Sequence, residues 1–342
     1  MKEAAMRYEF YNQDCILGAK EHLEDDSVDL IITDPPFAIE GDKLHKHYNR
    51  KETFVIDGYV EIAREEYADF SKLWITEAER VLRPGGALAV VSGYSNLIDI
   101  LNALRGTTLK EINHIIWKYN FGVSTKSKFV SSHYHILYYF KPGGQRTFNT
   151  FARFGSRERN GNNRSLLYQD LEDVWIINRE YKPGEIKNKN ELPSALLIKL
   201  IQYLSKPRDV ICDFFLGGFS TAKIAKGLGR SAIGFEINKI SFDHHYKEVE
   251  TIRVNEIAGD VKVGTDDTPL KAGEPWREGE LNQLKDRYLE LYQQGRTKKE
   301  SIQTLSSEFE RGPWAIIKRL NSMKFRNKSD IPLQFYFSDD GA

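Results

Sequence analysis

The chain has 342 residues, 40% of them hydrophobic, which is enough to bury a full-sized core in one large domain with an appendage. Lys+Arg and Asp+Glu both number 49, so a formal net charge of zero makes no overall case for a polyanionic partner, and any nucleic-acid surface must come from local segregation of charge. The two cysteines, Cys15 and Cys212, have no His or Cys at ligand spacing, which argues against a disulfide framework and a zinc site, and no metal is expected.

Met1 to Arg7 lacks the apolar core of a signal peptide, and no apolar run approaches the roughly 18 residues of a membrane span. A soluble, cytoplasmic protein without a membrane partner is expected. Ser27 to Thr33 reads as a buried parallel strand, because Val28, Leu30, Ile31 and Ile32 are apolar and the run stops at a proline pair. The loop that follows, Asp34-Pro35-Pro36-Phe37, combines a carboxylate, two prolines without N–H donors and an aromatic. An acceptor-rich edge beside a flat apolar plate suits a flat base that carries an amino group.

From Ala38 to about Tyr59 the sequence is polar and without periodicity, as in an exposed excursion. Glu65 to Leu82 has helical spacing, Arg83-Pro84-Gly85-Gly86 reads as a turn, and Ala87 to Val91 as the strand it feeds. Asn96 to Leu104 is a second helix, and Glu111 to Lys118 and Tyr134 to Phe140 are strands. Alternating strand and helix predicts an α/β fold.

Residues 141–189 break the pattern. Six basic residues, Lys141, Arg146, Arg153, Arg157, Arg159 and Arg164, face Glu158 alone over Lys141 to Arg164, with Phe148, Phe151 and Phe154 interleaved. A recognition insertion that uses Arg146, Arg153, Arg157, Arg159 and Arg164 on phosphates and base edges is the reading. Pro193 to Ser205 returns to helix. Asp209 to Phe215, Ser220 to Leu228, Ser231 to Glu236 and Lys239 to about Ile257 form a βαβ unit with a trailing helix.

Within that unit, Asp213-Phe214-Phe215-Leu216-Gly217-Gly218-Phe219-Ser220-Thr221 is a strand end, a glycine pair and a helix start, the form of a loop whose backbone approaches a ligand. Glu236 ends the next strand 18 residues past Gly218, where dinucleotide-type folds place an acid on a ribose diol. Asp34 and Asp213 both end predicted parallel strands, so their loops should open on one edge, one holding a nucleoside and the other an amine.

Residues 258–280 read as a linker. Three short apolar faces then predict a helix-turn-helix-like module over 281–326, followed by a tail over 327–342. Between Leu281 and Arg326 ten basic residues face five acidic ones, and Lys298, Lys299, Lys318 and Arg319 are the candidate DNA contacts.

In these segments, from about Tyr11 to Ile257, the chain resembles the S-adenosylmethionine-dependent DNA amino-methyltransferases of the permuted β class, in which the catalytic loop precedes the cofactor loop. The resemblance rests on both loops and on Asp14-Cys15, Ser27 to Ile32, Arg80 to Gly86, Trp117-Lys118, His133 to Leu137 and Asp173-Val174-Trp175. It implies a doubly wound, mostly parallel sheet of the seven-stranded methyltransferase type, with helices on both faces. Double-stranded DNA is then the substrate, and a homodimer and a cognate restriction nuclease are the partners it leaves open.

At matching positions Asp14 would contact the cofactor adenine, Gly217 and Gly218 its methionine end and Glu236 its ribose. Cys15, Asp34, Pro193, Asp213, Phe215, Ser220, Thr221 and Asn238 complete the implied cofactor site. Asp34, Pro35, Pro36 and Phe37 would act on the target amine. Relatives that methylate cytosine N4 usually carry Ser in place of the loop Asp, which favours adenine; cytosine N4 methylation and a catalytically silent DNA-binding regulator are the alternatives. Three departures from the family pattern are Phe214 for a proline, Phe219 for a second loop glycine and Leu192 for a lysine before Pro193, and the bulk of Phe219 is what gives the silent alternative its weight.

Overall fold

Helices cover both faces of one sheet in a computed structural model that describes residues 6–36, 62–120, 122, 126–180, 191–265 and 275–323. Phe37, the excursion after it, the end of the insertion and the tail lie outside the described residues. The chain divides into two units, Met1–Thr265 and Asp266–Ala342.

In the first unit, strands β1 (Tyr8–Tyr11), β2 (Val28–Thr33), β3 (Leu82–Ser92), β4 (Lys110–Lys118), β5 (His133–Phe140), β6 (Val174–Ile176), β7 (Val210–Asp213) and β8 (Ser231–Phe235) form one sheet. Their order is β1-β8-β7-β2-β3-β5-β4-β6. β5 is antiparallel to β3 and β4, and every other pairing is parallel. The doubly wound, mostly parallel sheet is as expected, but it has eight strands instead of seven. β1 and β6 give little sequence signal, being four half-buried residues and three residues respectively.

The helices are α1 (Cys15–His22), α2 (Tyr67–Val81), α3 (Leu97–Arg105), α4 (Leu166–Leu171), α5 (Ser194–Leu204), α6 (Ser220–Gly227) and α7 (Lys239–Thr251). β2 is apolar on both sides because it is covered on both: Leu30 and Ile32 join the core under α5 and α6, while Val28 and Ile31 join the core under α1, α2 and α3. The polar ends of parallel strands are thereby left to one edge of the sheet, where side chains can meet a ligand.

Two boundaries differ from expectation. Arg83-Pro84-Gly85-Gly86 lies inside β3 and is not a turn; the pairing with β2 slips between Val28/Leu82 and Leu30/Ala87, as in a bulge. Gly85 has φ +82°, and a Cβ there would come within 2.3 Å of the Gln145 carbonyl oxygen, so this close approach requires glycine. Residues 258–265 also pack on the first unit instead of serving as linker. Gln202 Nε2 donates to the Lys262 carbonyl at 3.2 Å, and a Cβ on Gly264 would meet the backbone of Phe151 and Phe154.

The second unit contains α8 (Glu278–Gln293), α9 (Lys298–Glu308) and α10 (Pro313–Ser322). Leu284, Tyr288, Leu291, Ile302, Leu305, Phe309, Ile316 and Leu320 make its own core. Thr297 and Glu300 form a capping box that starts α9, and Pro313 opens α10 directly after Gly312. Arg311, in the turn between them, is buried against Glu280 at 3.0 Å and lies over the Trp276 ring at 4.2 Å.

Candidate active site

β1, β8, β7 and β2 are consecutive parallel neighbours, so the residues after their carboxyl ends line up along one edge. That edge carries Asp14, Glu236, Asp213 and Asp34 in spatial order. At about 4.8 Å per strand the row spans roughly 14 Å, the scale of a nucleoside with a short side chain.

Asp34 follows β2 directly. The residue is half-buried, yet its Oδ1 is sealed from solvent without a hydrogen-bond partner. Burial first, then the Asp213 charge, push its carboxyl well above the ordinary range, and the Arg179 charge pulls it partly back. Asp213 ends β7 and is buried. Its Oδ1 accepts from Thr33 Oγ1 at 2.9 Å and from the Phe215 N–H at 3.0 Å. Burial raises Asp213 to about 6, against opposing hydrogen bonds from Thr221, Phe215 and Thr33. The hydroxyls of Thr33 and Thr221 thus fasten the two loops to one carboxyl.

Glu236 accepts from the N–H of Gly217 at 2.8 Å and of Asn238 at 2.7 Å, one on each oxygen. Its carboxyl is raised by burial, with those two bonds opposing. Each oxygen keeps lone-pair capacity for a second donor. Gly217 has φ +50°, and a Cβ on Gly218 would fall 2.2 Å from Glu191 Oε1, so bare backbone faces that carboxylate across the loop.

Other candidates hold the frame. Asp14 Oδ1 caps α1 by accepting from the N–H groups of Ile16 and Leu17, both at 3.0 Å. Cys15 is buried in the core, Pro193 precedes α5, Ser220 opens α6, and Asn238 caps α7 through Ser241. Phe215 packs on Phe70 and Trp74. Phe219 sits at φ +58° but is 0% exposed: its ring packs into the core edge-on to Phe10 and Phe242, so its bulk leaves the loop surface open. Phe214 likewise packs inward, on Trp74 and Phe235.

The sequence gives no hint of a wall beyond Asp34. Ile177 N–H donates to the Lys118 carbonyl at 3.0 Å and Trp117 Nε1 to the Ile177 carbonyl at 2.8 Å, which extends the β6 pairing along β4 and delivers Arg179 to the edge. The Arg179 guanidinium lies over the rings of Tyr119 (4.7 Å) and Tyr134 (5.3 Å), and Nη2 donates to Tyr134 Oη at 3.0 Å. Burial first raises Tyr134 to about 12; Arg179 opposes this and Asp34 adds to it.

Two of the expected DNA-contacting arginines are committed elsewhere. Arg146 donates to Tyr138 Oη at 2.8 Å and lies over the Tyr138, Phe140 and Phe148 rings. Arg153 donates to Asp170 Oδ2 at 2.9 Å and to Gln202 Oε1 at 3.1 Å. Phe148 stacks on Tyr203, so the insertion's aromatics anchor it to α5. Arg157, Arg159 and Arg164 are exposed, as are Lys299 and Lys318, while Lys298 and Arg319 are half-buried.

His244, His245 and Glu248 bring ligand atoms within 4.8 Å of one another. Lys223 already donates to Glu248 Oε2 at 2.5 Å, however, and His245 Nδ1 shares that oxygen at 2.8 Å, so the group is a hydrogen-bonded cluster and not an open ligand set. No helix among the described residues is long and apolar enough to cross a membrane.

A family profile described as DNA methylase, of the N6/N4 methyltransferase type, matches residues 28–247. The chain belongs to this DNA methylase family. Among its relatives, the type II methyltransferase M.HinfI of Haemophilus influenzae is 28% identical over 253 residues, covering 71% of this chain and 68% of the relative. M.BamHI of Bacillus amyloliquefaciens is 29% identical over 247 residues, covering 66% of this chain and 54% of the relative.

Two solved structures share the fold of this DNA methylase. A Thermus thermophilus protein described as a putative DNA modification methylase, solved with S-adenosyl-L-methionine, aligns with TM-score 0.51 at 20% identity over 76% of this chain and 98% of that one. The PvuII DNA methyltransferase, cytosine-N4-specific, aligns with TM-score 0.52 at 14% identity over 76% of this chain and 96% of that one. The family is S-adenosylmethionine-dependent. The edge fits that cofactor: Glu236 keeps acceptor capacity toward a diol, the glycine pair presents bare backbone, and Phe219 is turned away.

Proposed function

We propose that this DNA methylase transfers a methyl group to the N6 amine of an adenine flipped out of double-stranded DNA. The observation that carries the reading is Asp34 Oδ1, a sealed acceptor without a partner, at the edge that also holds the glycine loop and Glu236. An unpaired buried acceptor costs about 1–3 kcal/mol, and an incoming donor recovers that cost.

Glu236 would hold the cofactor's ribose and Gly217 and Gly218 its methionine end, while S-adenosylmethionine supplies a methyl group on a sulfonium. The rest falls to the chain's own groups. An adenine amine is a poor nucleophile because its lone pair is delocalised into the ring. Asp34 and the Pro35 carbonyl accept hydrogen bonds from its two N–H groups and turn the nitrogen toward tetrahedral geometry, freeing the lone pair for in-line attack. The N–CH3 bond forms as the S–CH3 bond breaks, sulfur leaves as a neutral thioether, and the amine proton departs to Asp34 or to water. Phe37 is the stacking partner for the base, at a step that requires the nucleotide outside the helix.

Asp34→Ala is expected to lower single-turnover methyl transfer by about 10³-fold or more while calorimetry shows nearly unchanged cofactor affinity. Retention of substantial turnover would remove Asp34 from this role. The cytosine-N4 specificity named for the PvuII enzyme of the same fold keeps that base as the competing product. In the second unit, α10 with Lys318 and Arg319 and the start of α9 with Lys298 and Lys299 are proposed to add phosphate contacts.

A further inference from the structure

Two buried polar atoms of opposite kind are without partners on the sheet edge that carries the end of β2. Asp34 Oδ1 is an acceptor and Arg179 Nε a donor, and both are sealed from solvent. Arg179 spends Nη2 on Tyr134 and its flat face on Tyr119 and Tyr134, so the guanidinium plane is fixed while its sealed Nε–H stays unused. The two groups lie along one edge of the sheet, Asp34 after β2 and Arg179 after β6 with Tyr134 of β5 between those strands, and Arg179 is the cation felt by Asp34.

A buried, charged donor without an acceptor is costly to maintain in a folded protein, and an active site is where such a cost is met by a ligand. The ligand that completes this pair must present a donor and an acceptor side by side. An amine-bearing base does so, with the exocyclic N–H next to a ring nitrogen lone pair. Guanine and thymine, which carry a carbonyl oxygen where the amine would be, would set acceptor against acceptor at Asp34.

We infer that Arg179 Nε donates to the ring nitrogen adjacent to the target amine, while Asp34 accepts from the amine itself. The inference rests on the methyltransferase reading and adds a base-discriminating residue to it. Toward the edge that carries purine C6 or pyrimidine C4, the pair selects adenine and cytosine, which have an amine there, over guanine and thymine, which have a carbonyl. Arginine suits the task because its planar guanidinium is held by ring stacking.

The test uses duplexes that contain the mapped target site with the target adenine replaced by 1-deazaadenine or 7-deazaadenine, which remove one or the other ring nitrogen beside the amine. Single-turnover transfer is measured for the wild-type protein and for Arg179→Met, with cofactor affinity followed by calorimetry. The wild type should lose about 10- to 100-fold on one of the two analogues, as expected for a charge-assisted hydrogen bond. Which analogue suffers tells N1 from N7. Arg179→Met should be slowed on adenine by a similar factor and should no longer distinguish adenine from that analogue by more than about threefold.

Wild-type transfer to both analogues within about threefold of adenine overturns the inference whether or not the variant folds. So does a variant that binds cofactor and keeps the full wild-type discrimination. Methylcytosine as the product in genomic DNA, with no transfer to any adenine duplex, is a different failure: it rejects the choice of base, and 3-deazacytosine then makes the same test of Arg179.

Discussion

Asp34 and Asp170 are both partly buried carboxylates that feel the charge of an arginine, and they differ in what is left unpaired. Asp170 Oδ2 accepts from Arg153 Nε at 2.9 Å and from Tyr203 Oη at 2.6 Å, and its Oδ1 meets Lys199 Nζ at 3.5 Å. Lys199 also lies over the Trp175 ring at 4.2 Å, and burial lowers it to about 8 although Asp170 opposes this. Around Asp34, by contrast, Arg179 and Tyr134 bond to each other, and Asp34 Oδ1 and Arg179 Nε remain unsatisfied. A satisfied cluster holds the insertion against α5; in the proposed reading the unsatisfied one is completed by the substrate.

The contrast predicts opposite responses to deletion. Asp34→Ala, as above, should remove activity while sparing the fold. Asp170→Ala leaves Arg153 and Lys199 buried without their anion and should cost about 3–5 kcal/mol in urea unfolding, with transfer per folded molecule largely kept. If Asp170→Ala abolished transfer in protein shown to be folded, the division between the two clusters would fail.

A pH profile sharpens the same comparison. Asp34 and Asp213 both titrate above the ordinary carboxyl range. The folded chain therefore binds protons that the unfolded chain has lost, and stability from these groups falls as pH rises from the ordinary carboxyl value through the folded values, to about 6 for Asp213. Transfer should fall off on the acid side as Asp34 is protonated. Because the Asp213 charge is part of what raises Asp34, Asp213→Asn should move that acid limb to lower pH. A limb that stays in place would separate the two carboxyls electrostatically.

What the sequence reveals and what it hides follows from the range of the interactions. β2 and its loop are legible because Leu30-Ile31-Ile32 and the proline pair are local signals, and Asp213, the glycine loop and Glu236 are legible as a strand, turn and helix in succession. The parallel pairing of β2 with β7 then brings both loops to one edge, as the strand ends predict. The destinations of long side chains are not local. Arg146 and Arg153 look like DNA contacts from their spacing, yet they end on Tyr138, Asp170 and Gln202. Arg179 gives no signal because Tyr134, which it bonds, is 45 residues away in sequence. Phe219 looks like an obstacle in a glycine's place, but its left-handed backbone turns the ring into the core. Arg83 to Gly86 reads as a turn because two adjacent glycines usually make one, and here they let a strand bulge against Gln145.

The smallest effect is expected from the second unit. Removing residues 281–342 should weaken DNA binding and flatten its dependence on salt, by about 0.9 in the log–log slope for each phosphate that the helices no longer neutralise. Identical affinities at several salt concentrations would take the helices of the second unit out of DNA recognition.

The central claim, that the partnerless Asp34 acceptor receives the amine of an adenine, is tested most directly by identifying the product. Genomic DNA incubated with the protein and methyl-labelled S-adenosylmethionine is digested to nucleosides and analysed by mass spectrometry. The account predicts label in N6-methyladenine, abolished by Asp34→Ala. Label confined to N4-methylcytosine, or N6-methyladenine formed equally well without the Asp34 carboxyl, would contradict it.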